Sequence, residues 1–293
     1  MSLRIPTPSL DLEATLDGGQ AFRWRCVAGA WEGVIGDRWV RLRKEGGDLL
    51  VETATDPGDG AWLRHYLGLD DDLEAIVRTF PEDPPLRDAV QACPGLRLLR
   101  QDPWECLASF ILSSTKQIVQ IQQCVALLCD AFGEPVPGPA GATSPRAFPT
   151  ATRLALVTES RLRDCKLGFR ARYLAAAAQA VDAGRMDLEA LRGLSTAAAR
   201  EQLTGLPGVG PKIANCVLLF AYGRQDAFPV DVWVLRALRE LYFPRRRPKA
   251  RTLQRFTETH FGPNAGYAQQ YLFHYIRNHR PAKTRSSGRP SPS

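Results

Sequence analysis

The hydrophobic pattern of this chain changes period once, and that change limits the possible folds more than any other feature. From about Leu10 to Thr55, aromatic and β-branched residues alternate with polar ones between glycine-containing turns, which is typical of antiparallel strands. After Trp62 the apolar residues recur three and four positions apart, which is typical of helices. The sequence therefore predicts an α+β protein, with an N-terminal antiparallel β-sheet followed by a mostly α-helical part.

Composition assigns some segments of the later chain. Glu134–Pro149 is rich in Pro and Gly and predicts a surface loop, whereas Ala171–Ala183 predicts a helix by propensity. Ser286–Ser293 has the composition of a disordered segment. We divide the chain into residues 1–103 with the sheet and some helices, residues 104–280 with the helical domain, and residues 281–293 as a disordered basic tail.

Charge and hydropathy favour a polyanionic partner and argue against a membrane protein. The 293 residues carry a formal charge of +7, and 44% of them are hydrophobic, which suffices for a sizeable core. Residues 280–293 hold four basic side chains and no acid, so they form either a solvated tail or a loose phosphate contact. The sequence has no signal-like segment or apolar run of membrane-spanning length. We expect a soluble intracellular protein, cytoplasmic in a bacterium or nuclear in a eukaryote.

Several side chains are predicted to be buried. The seven cysteines lack the CxxC spacing of a metal site, and most have apolar neighbours, so we expect reduced, buried thiols. Phe22 and Trp24 are expected in the core of a strand. Tyr271 and Phe273 are expected on the inward face of a helix.

The segment Leu203–Asn215 reads LTGLPGVGPKIAN and lies between two helical patterns. It fails as a P-loop, because Pro211 stands where that motif needs its lysine, and as a dinucleotide-binding loop, because Ile213 replaces the third glycine. A hairpin between helices remains. Gly208 and Gly210 permit a tight turn with positive φ and a close approach to another molecule, and Pro211 suits a first helical turn. The free N–H groups at that helix start then offer a site for an anion such as a DNA phosphate.

This hairpin resembles that of the helix-hairpin-helix superfamily of DNA repair glycosylases, whose following helix carries a catalytic lysine. The resemblance implies that Lys212 is the nucleophile and that Asp231, within the sequence FPVDV, is the superfamily's essential aspartate. Simpler interpretations are a surface lysine and a helix N-cap. A hairpin alone also occurs in proteins that only grip DNA. The combination of lysine and aspartate favours catalysis.

Four further motifs are similar to those of 8-oxoguanine DNA glycosylases and occur in the family's order. They are LDGGQAFRW (16–24), LLRQDP (98–103), LGFRARY (167–173) and AGYAQ (265–269). The resemblance implies a base pocket in which the Gly19 carbonyl accepts a hydrogen bond from N7–H of 8-oxoguanine. Cys216 and Phe273 would sandwich the base, and Gln269 would read its Watson–Crick edge. Phe169 and Arg170 would form a wedge, the guanidinium bonding the orphaned base or a phosphate.

The chemistry implied by the resemblance is a Schiff-base mechanism. An ordinary lysine is charged at neutral pH, so attack on C1′ needs burial and the positive end of its own helix to disfavour the ammonium. Asp231 would stabilise positive character on the sugar as the base leaves, and elimination of the 3′ phosphate would then cut the strand. We expect no cofactor or metal, because water is not the nucleophile. The expected partner is double-stranded DNA with a damaged base, bound by a monomer.

The chain also departs from the family's pattern. Thr115 stands in place of the first residue of an asparagine run, Gln120 in place of an arginine that reads the opposite cytosine, and Trp233 in place of a histidine. We expect Thr115 and Gln120 to contact DNA, with opposite-base selectivity left open. No cysteine follows Cys216, which excludes the superfamily's type of iron–sulfur cluster. Three functions remain: the favoured glycosylase and lyase for oxidised purine, a glycosylase for alkylated bases, and a non-catalytic DNA-binding protein.

Overall fold

The structure, a computed structural model, describes residues 1–139 and 145–279. The predicted disordered tail and the last residue assigned to the helical domain, Arg280, lie outside these ranges. The centre of the predicted loop Glu134–Pro149, residues 140–144, lies outside them too. The described part of that loop contains no helix, and an isolated antiparallel bridge joins Pro135 to Arg146.

A five-stranded antiparallel sheet forms the first part of the chain, in the order β1-β5-β4-β3-β2. Its strands are β1 (Ser2–Pro6), β2 (Arg25–Val27), β3 (Ala30–Ile35), β4 (Arg38–Glu45) and β5 (Asp48–Thr53). Alternation along β4 buries Val40 and Leu42 completely and leaves Arg43 exposed. The predicted N-terminal antiparallel sheet is confirmed.

The boundaries of the sheet differ from the prediction. The first strand begins at Ser2 rather than near Leu10, and it pairs along β5 with Leu3 opposite Val51. Residues Leu12–Leu16 form a helix, α1, inside the region predicted to be strands. The Asp11 carboxylate caps this helix by accepting a hydrogen bond from the Ala14 backbone N–H at 2.9 Å. A local cap therefore overrides the period-two pattern.

Phe22 and Trp24 are buried, as predicted, but they lie in the connection between α1 and β2 and not in a strand. The Trp24 ring lies against Gly33 of β3, where a Cβ atom would come within 2.7 Å of it. Its indole N–H donates to the Tyr66 hydroxyl at 2.9 Å. The loop is thus fixed by packing against the sheet.

Helices form most of the remaining described chain, as predicted. They are α2 (Ala61–Tyr66), α3 (Leu73–Arg78), α4 (Pro84–Ala92), α5 (Pro103–Leu112), α6 (Ile118–Phe132), α7 (Ala151–Ala155), α8 (Glu159–Leu162), α9 (Ala171–Asp182), α10 (Thr196–Thr204), α11 (Pro211–Phe220), α12 (Val232–Ala237), α13 (Ala250–His260) and α14 (Ala265–Asn278). Helix α9 coincides with the helix predicted from propensity. Single turns of π-helix (Arg163–Leu167) and 3₁₀-helix (Gly168–Arg170) connect α8 to α9.

Helix α14, the last helix of the described chain, is hydrogen-bonded to the loop that follows α1. Tyr271 is fully buried and Phe273 is 7% exposed, so the predicted inward face of this helix is confirmed. On the same helix, the Gln270 side-chain amide donates to the Gly18 carbonyl at 2.7 Å and Arg277 donates to the Asp17 carbonyl at 2.6 Å. The loop after α1 is therefore held by the last helix.

The structure confirms that most cysteine thiols are buried. All seven cysteines are free thiols, and six are buried. Cys26 is the exception, because β2 is a short edge strand whose residues are all exposed. In residues 1–139 and 145–279, every helix is too short or too polar to span a bilayer.

Candidate active site

The predicted hairpin is the connection between α10 and α11. Gly208 has a φ of +80°, and a Cβ atom there would lie 2.4 Å from Cγ of Tyr173, so the turn requires glycine. Gly210 instead has a φ of −97°, and the prediction of a positive φ is wrong at this residue. It occupies the N-cap of α11, where an extended backbone is usual.

The start of α11 has the features of an anion site. Gly210 supplies no capping side chain, and Pro211 is the first residue of the helix, so the first N–H groups have no side-chain acceptor at the cap. A Cβ atom at Gly210 would meet no atom within 4 Å. Another molecule can therefore approach this backbone closely.

Lys212 follows on the first turn of α11 and is partly buried. Its Nζ donates to Oγ of Ser113, at the end of α5, over 2.9 Å. It also lies 5.2 Å from the ring centroid of Phe110. The amine is thus held inside a contact between two helices rather than extended into solvent.

Asp231 forms the N-cap of α12. Its Oδ1 accepts hydrogen bonds from the backbone N–H groups of Trp233 at 2.9 Å and Val234 at 2.8 Å. Burial raises the pKa of Asp231 above its ordinary value, and the two backbone bonds and the Lys212 charge offset only part of that effect. The N-cap interpretation is confirmed, and the carboxyl lies within electrostatic reach of the amine.

Cys216 lies close enough to Lys212 and Asp231 for their charges to affect the pKa of its thiol. It lies one turn after Lys212 on α11 and is 3% exposed. Burial raises the pKa of its thiol to about 11, with a smaller lowering by Lys212 and a raising by Asp231. The thiol is therefore neutral at physiological pH and presents a polarisable, apolar surface.

Asn215 fixes the chain between the hairpin and the carboxylate. Its Nδ2 donates to the Phe228 carbonyl at 3.2 Å, and its Oδ1 accepts from Arg200 of α10 at 2.7 Å. This single side chain joins α10, α11 and the extended residues before Asp231. The helix that carries Lys212 and the segment that leads to Asp231 are thus joined directly.

Gly19 and Phe273, predicted to share a base pocket, are neighbours. Gly19 has a φ of +68°, and a Cβ atom there would lie 3.0 Å from Ile118 Cδ1 and 3.4 Å from Cζ of Phe273. The hydrogen bond from Gln270 to Gly18 fixes the backbone just before it. The structure brings a loop from the sheet region and a face of α14 together.

Gln269 lies on α14 and is 3% exposed. Its Oε1 is buried and has no hydrogen-bond partner among the described residues. Buried polar atoms without a partner are uncommon in folded proteins, so this oxygen is a candidate contact for a ligand. Gly266, one turn earlier, packs on Leu219 of α11, where a Cβ atom would come within 2.3 Å. Helix α14 thus packs closely against α11, the helix that carries Cys216.

The two predicted wedge residues have different surroundings. Phe169 is 48% exposed. Arg170 stacks on its ring at 4.3 Å but is itself only 6% exposed. The Arg170 guanidinium donates to the carbonyls of Ser114 and Leu167 and to Oγ1 of Thr115. It is bound within the protein rather than facing solvent, so its predicted contact with DNA stays a prediction.

The remaining predicted DNA contacts are both exposed: Thr115 lies on the connection from α5 to α6, and Gln120 lies in the first turn of α6. Thr115 has a φ of +57°, in the left-handed region. The Gln120 side chain accepts a hydrogen bond from the Gln117 backbone N–H at 3.1 Å, so it caps α6. Ser113 had no predicted role. Only tertiary packing brings it to Lys212, 99 positions away.

The fold and this site define a DNA glycosylase of the helix-hairpin-helix class. Residues 2–107 match the family model described as 8-oxoguanine DNA glycosylase, N-terminal domain. Residues 108–263 match the model described as HhH-GPD superfamily base excision DNA repair protein. The chain therefore belongs to the 8-oxoguanine DNA glycosylase family.

Individual relatives resemble the chain along most of its length. It is 31% identical to a probable N-glycosylase/DNA lyase of Methanothermobacter thermautotrophicus, covering 94% of this chain and 96% of that protein. It is 32% identical to N-glycosylase/DNA lyase OGG1 of Arabidopsis thaliana, covering 92% and 78%. A crystal structure of Clostridium acetobutylicum 8-oxoguanine glycosylase/lyase, in complex with double-stranded DNA containing cytosine opposite 8-oxoG, superposes with a TM-score of 0.86 at 33% identity, covering 92% of each chain.

Proposed function

We propose that this protein is a bifunctional DNA glycosylase and AP lyase that excises 8-oxoguanine from duplex DNA in base excision repair. The observation that carries the proposal is the Lys212 amine, partly buried after the hairpin and within electrostatic reach of Asp231. A surface lysine would have neither the hydrogen bond to Ser113 nor a carboxylate such as Asp231 close enough for their charges to interact. The names of the relatives, N-glycosylase/DNA lyase and 8-oxoguanine glycosylase/lyase, support the same conclusion.

The hairpin binds DNA in this proposal. Gly208 and Gly210 bring the uncapped N–H groups of α11 against a phosphate. Phe169, half exposed at the surface, enters the base stack when the damaged nucleotide rotates out. Extruding a nucleotide costs a few kcal/mol, and the inserted ring offsets part of that cost by stacking.

The base pocket distinguishes 8-oxoguanine from guanine by one proton. N7 of the oxidised base carries a hydrogen that the Gly19 carbonyl accepts, whereas N7 of guanine is an acceptor and would face that carbonyl unpaired. Gln269 bonds the Watson–Crick edge through its unpartnered Oε1. Cys216 and Phe273 cover the two faces of the base.

The chemical steps start from the neutral Lys212 amine. Its lone pair forms a bond to C1′, the glycosidic bond breaks, and the base leaves with its electron pair and takes up a proton. Ionised Asp231 stabilises the positive character of the sugar. The amine then loses a proton, the sugar ring opens to a Schiff base, and loss of a C2′ proton expels the 3′ phosphate. Thr115 and Gln120 contact the duplex beside this site.

The site needs both parts of the chain, which we propose as residues 1–103 and 104–280. Gly19 comes from the first part and Lys212 from the second, and α14 holds them together. The enzyme acts as a monomer on double-stranded DNA. It works in the compartment that holds the DNA, the cytoplasm of a bacterium or the nucleus of a eukaryote.

Borohydride trapping tests the proposal. The protein is incubated with duplexes containing 8-oxoguanine, an alkylated purine or no damage, and borohydride reduces any Schiff base to a stable crosslink. We expect crosslinking with 8-oxoguanine that is lost in Lys212→Gln and kept in Lys249→Gln, which changes an exposed lysine at the start of α13. Release of alkylated base without crosslinking would instead support the second function considered above. Binding alone would support a non-catalytic protein.

A further inference from the structure

The hydrogen bonds of Ser113 determine which atoms it can offer to Lys212. The Ser113 hydroxyl donates its only proton to the Phe110 carbonyl, at 2.7 Å. Its oxygen therefore faces Lys212 Nζ, at 2.9 Å, solely as an acceptor. In this contact the lysine must be the donor.

This arrangement restricts the neutral amine. A primary amine has two N–H bonds and one lone pair, and Ser113 holds one of the N–H bonds. The lone pair is then limited to the two directions that point away from Ser113. The centroid of the Phe110 ring lies 5.2 Å from Nζ. An attacking lone pair must point at C1′, and fixing one N–H bond reduces the number of orientations that the amine can adopt.

The position of Ser113 depends on the turn that follows it. The Ser114 carbonyl accepts from Nε of Arg170 at 2.7 Å, and Arg170 also donates to Oγ1 of Thr115. Thr115 has a φ of +57°, a backbone conformation that residues other than glycine rarely adopt. Arg170 is in turn anchored to the Leu167 carbonyl at 3.2 Å. A buried guanidinium thus holds a turn that the sequence alone would not favour.

We propose that Ser113 is a positioning residue that orients the Lys212 amine for attack, and that Arg170 keeps Ser113 in place through the Ser113–Thr115 turn. This inference rests on the proposed function of Lys212. It adds two side chains that set the direction of the nucleophile without forming or breaking a bond themselves. It also gives buried Arg170 a role that is independent of any contact with DNA.

The test measures the rate of Schiff-base formation apart from binding. A duplex with a preformed abasic site bypasses base excision, and borohydride trapping under single-turnover conditions then reports the amine's attack. Affinity is measured on the same duplex with a tetrahydrofuran analogue, which cannot react. We expect Ser113→Ala to slow trapping about 10- to 100-fold with unchanged affinity and thermal midpoint. Ser113→Thr, which keeps the hydroxyl, should restore most of the rate.

Ser160→Ala is the matched control, because the Ser160 side chain is exposed on α8 and takes no part in the hydrogen bonds of Ser113, Arg170 or Lys212. Equal trapping rates for Ser113→Ala and wild type would overturn the inference and leave the proposed function intact. A wild-type protein that does not trap at all would overturn the proposed function itself. A loss of affinity or folding that fully accounts for the slower rate would also overturn the positioning role.

A double-mutant cycle tests the part played by Arg170. If Arg170 acts through Ser113, Arg170→Met should slow trapping about tenfold in the wild-type background and less than about twofold in the Ser113→Ala background. Additive effects of the two changes would overturn this step. Each rate is taken at saturating protein, so that any contribution of Arg170 to DNA affinity does not enter the comparison.

Discussion

Asp231 accepts a hydrogen bond from the backbone N–H of Val234 at 2.8 Å, so the proposed catalytic carboxylate is also a helix cap. The same oxygen accepts from Trp233. Most substitutions of Asp231 therefore remove both the negative charge and the helix cap. A substitution that keeps a capping oxygen removes only the charge, so the two roles can be tested separately.

Asp231→Asn should keep the cap and lose the charge, because an amide oxygen can accept the same backbone bonds. We expect the excision rate to fall about 10²- to 10⁴-fold with the thermal midpoint nearly unchanged. Asp231→Ala should lose the cap as well, at a cost of about 1 kcal/mol of stability. Single-turnover excision and thermal melting of both variants separate the two roles. Full activity of Asp231→Asn would contradict the catalytic one.

The pH dependence of excision should reflect the burial of Asp231. Its pKa is raised in the folded protein, so the carboxyl becomes protonated at a higher pH than an ordinary aspartate as the solution is acidified. Since the reaction needs the ionised form, the rate should decrease as the pH is lowered. The decrease should begin at a higher pH than it would for an ordinary aspartate, whose pKa is about 4. The residual rate of Asp231→Asn should lack this fall. An acid limb that is identical in both proteins would assign it to another group.

The two hairpin glycines should respond differently to alanine. Gly208→Ala places a Cβ atom 2.4 Å from Tyr173 at a φ of +80°, and we expect it to destabilise the fold by about 1–3 kcal/mol. Gly210→Ala meets no atom within 4 Å, so stability should stay within about 1 kcal/mol while affinity for DNA falls about tenfold. Denaturation and DNA titration of both are compared with Gly47→Ala, an unobstructed turn glycine. Equal DNA affinity in Gly210→Ala would refute the phosphate contact.

Phe169→Ala should weaken excision without weakening the fold. The ring is 48% exposed, so its loss should change stability by less than about 0.5 kcal/mol. Its proposed stacking in the opened duplex is worth about 1–3 kcal/mol, and excision of 8-oxoguanine should slow at least about tenfold. Leu156→Ala, at a residue 78% exposed, serves as the control for losing an exposed apolar side chain. Both variants are assayed by single-turnover excision and melting.

One thiol of seven should react rapidly with a disulfide reagent in the native protein. Cys26 is exposed, whereas burial raises the pKa of Cys93 and Cys129 to about 12 and that of Cys216 to about 11. Cys26→Ser should therefore remove the fast phase, and denaturant should release six further thiols. A fast reaction at Cys216 would show that the pocket side of α11 is open.

Local pattern and motif spacing predicted much of this protein. The change of period identified the sheet and the helical part, and the hairpin motif identified Lys212 and its helix start. The errors arose where one local signal competed with another. The Asp11 cap produced a helix within the strand region, and the Trp24 ring packed on Gly33 from a loop.

The surroundings of the site were less accessible to sequence reasoning. Arg170 was expected to face DNA, yet it is bound to Ser114, 56 positions earlier in the chain. Ser113 had no predicted role, although it is the partner of Lys212. A motif gives residue types in order along the chain, whereas these contacts depend on how α5, α9 and α11 pack.

The bonds from Gln270 and Arg277 to the carbonyls of Gly18 and Asp17 have a consequence for folding during synthesis. The loop that carries Gly19 is synthesised before its anchors, which lie 252 and 260 positions later in the chain. A nascent chain that already contains Lys212 therefore still lacks the anchors of the loop that carries Gly19. Those anchors form only when α14 has been synthesised and has docked.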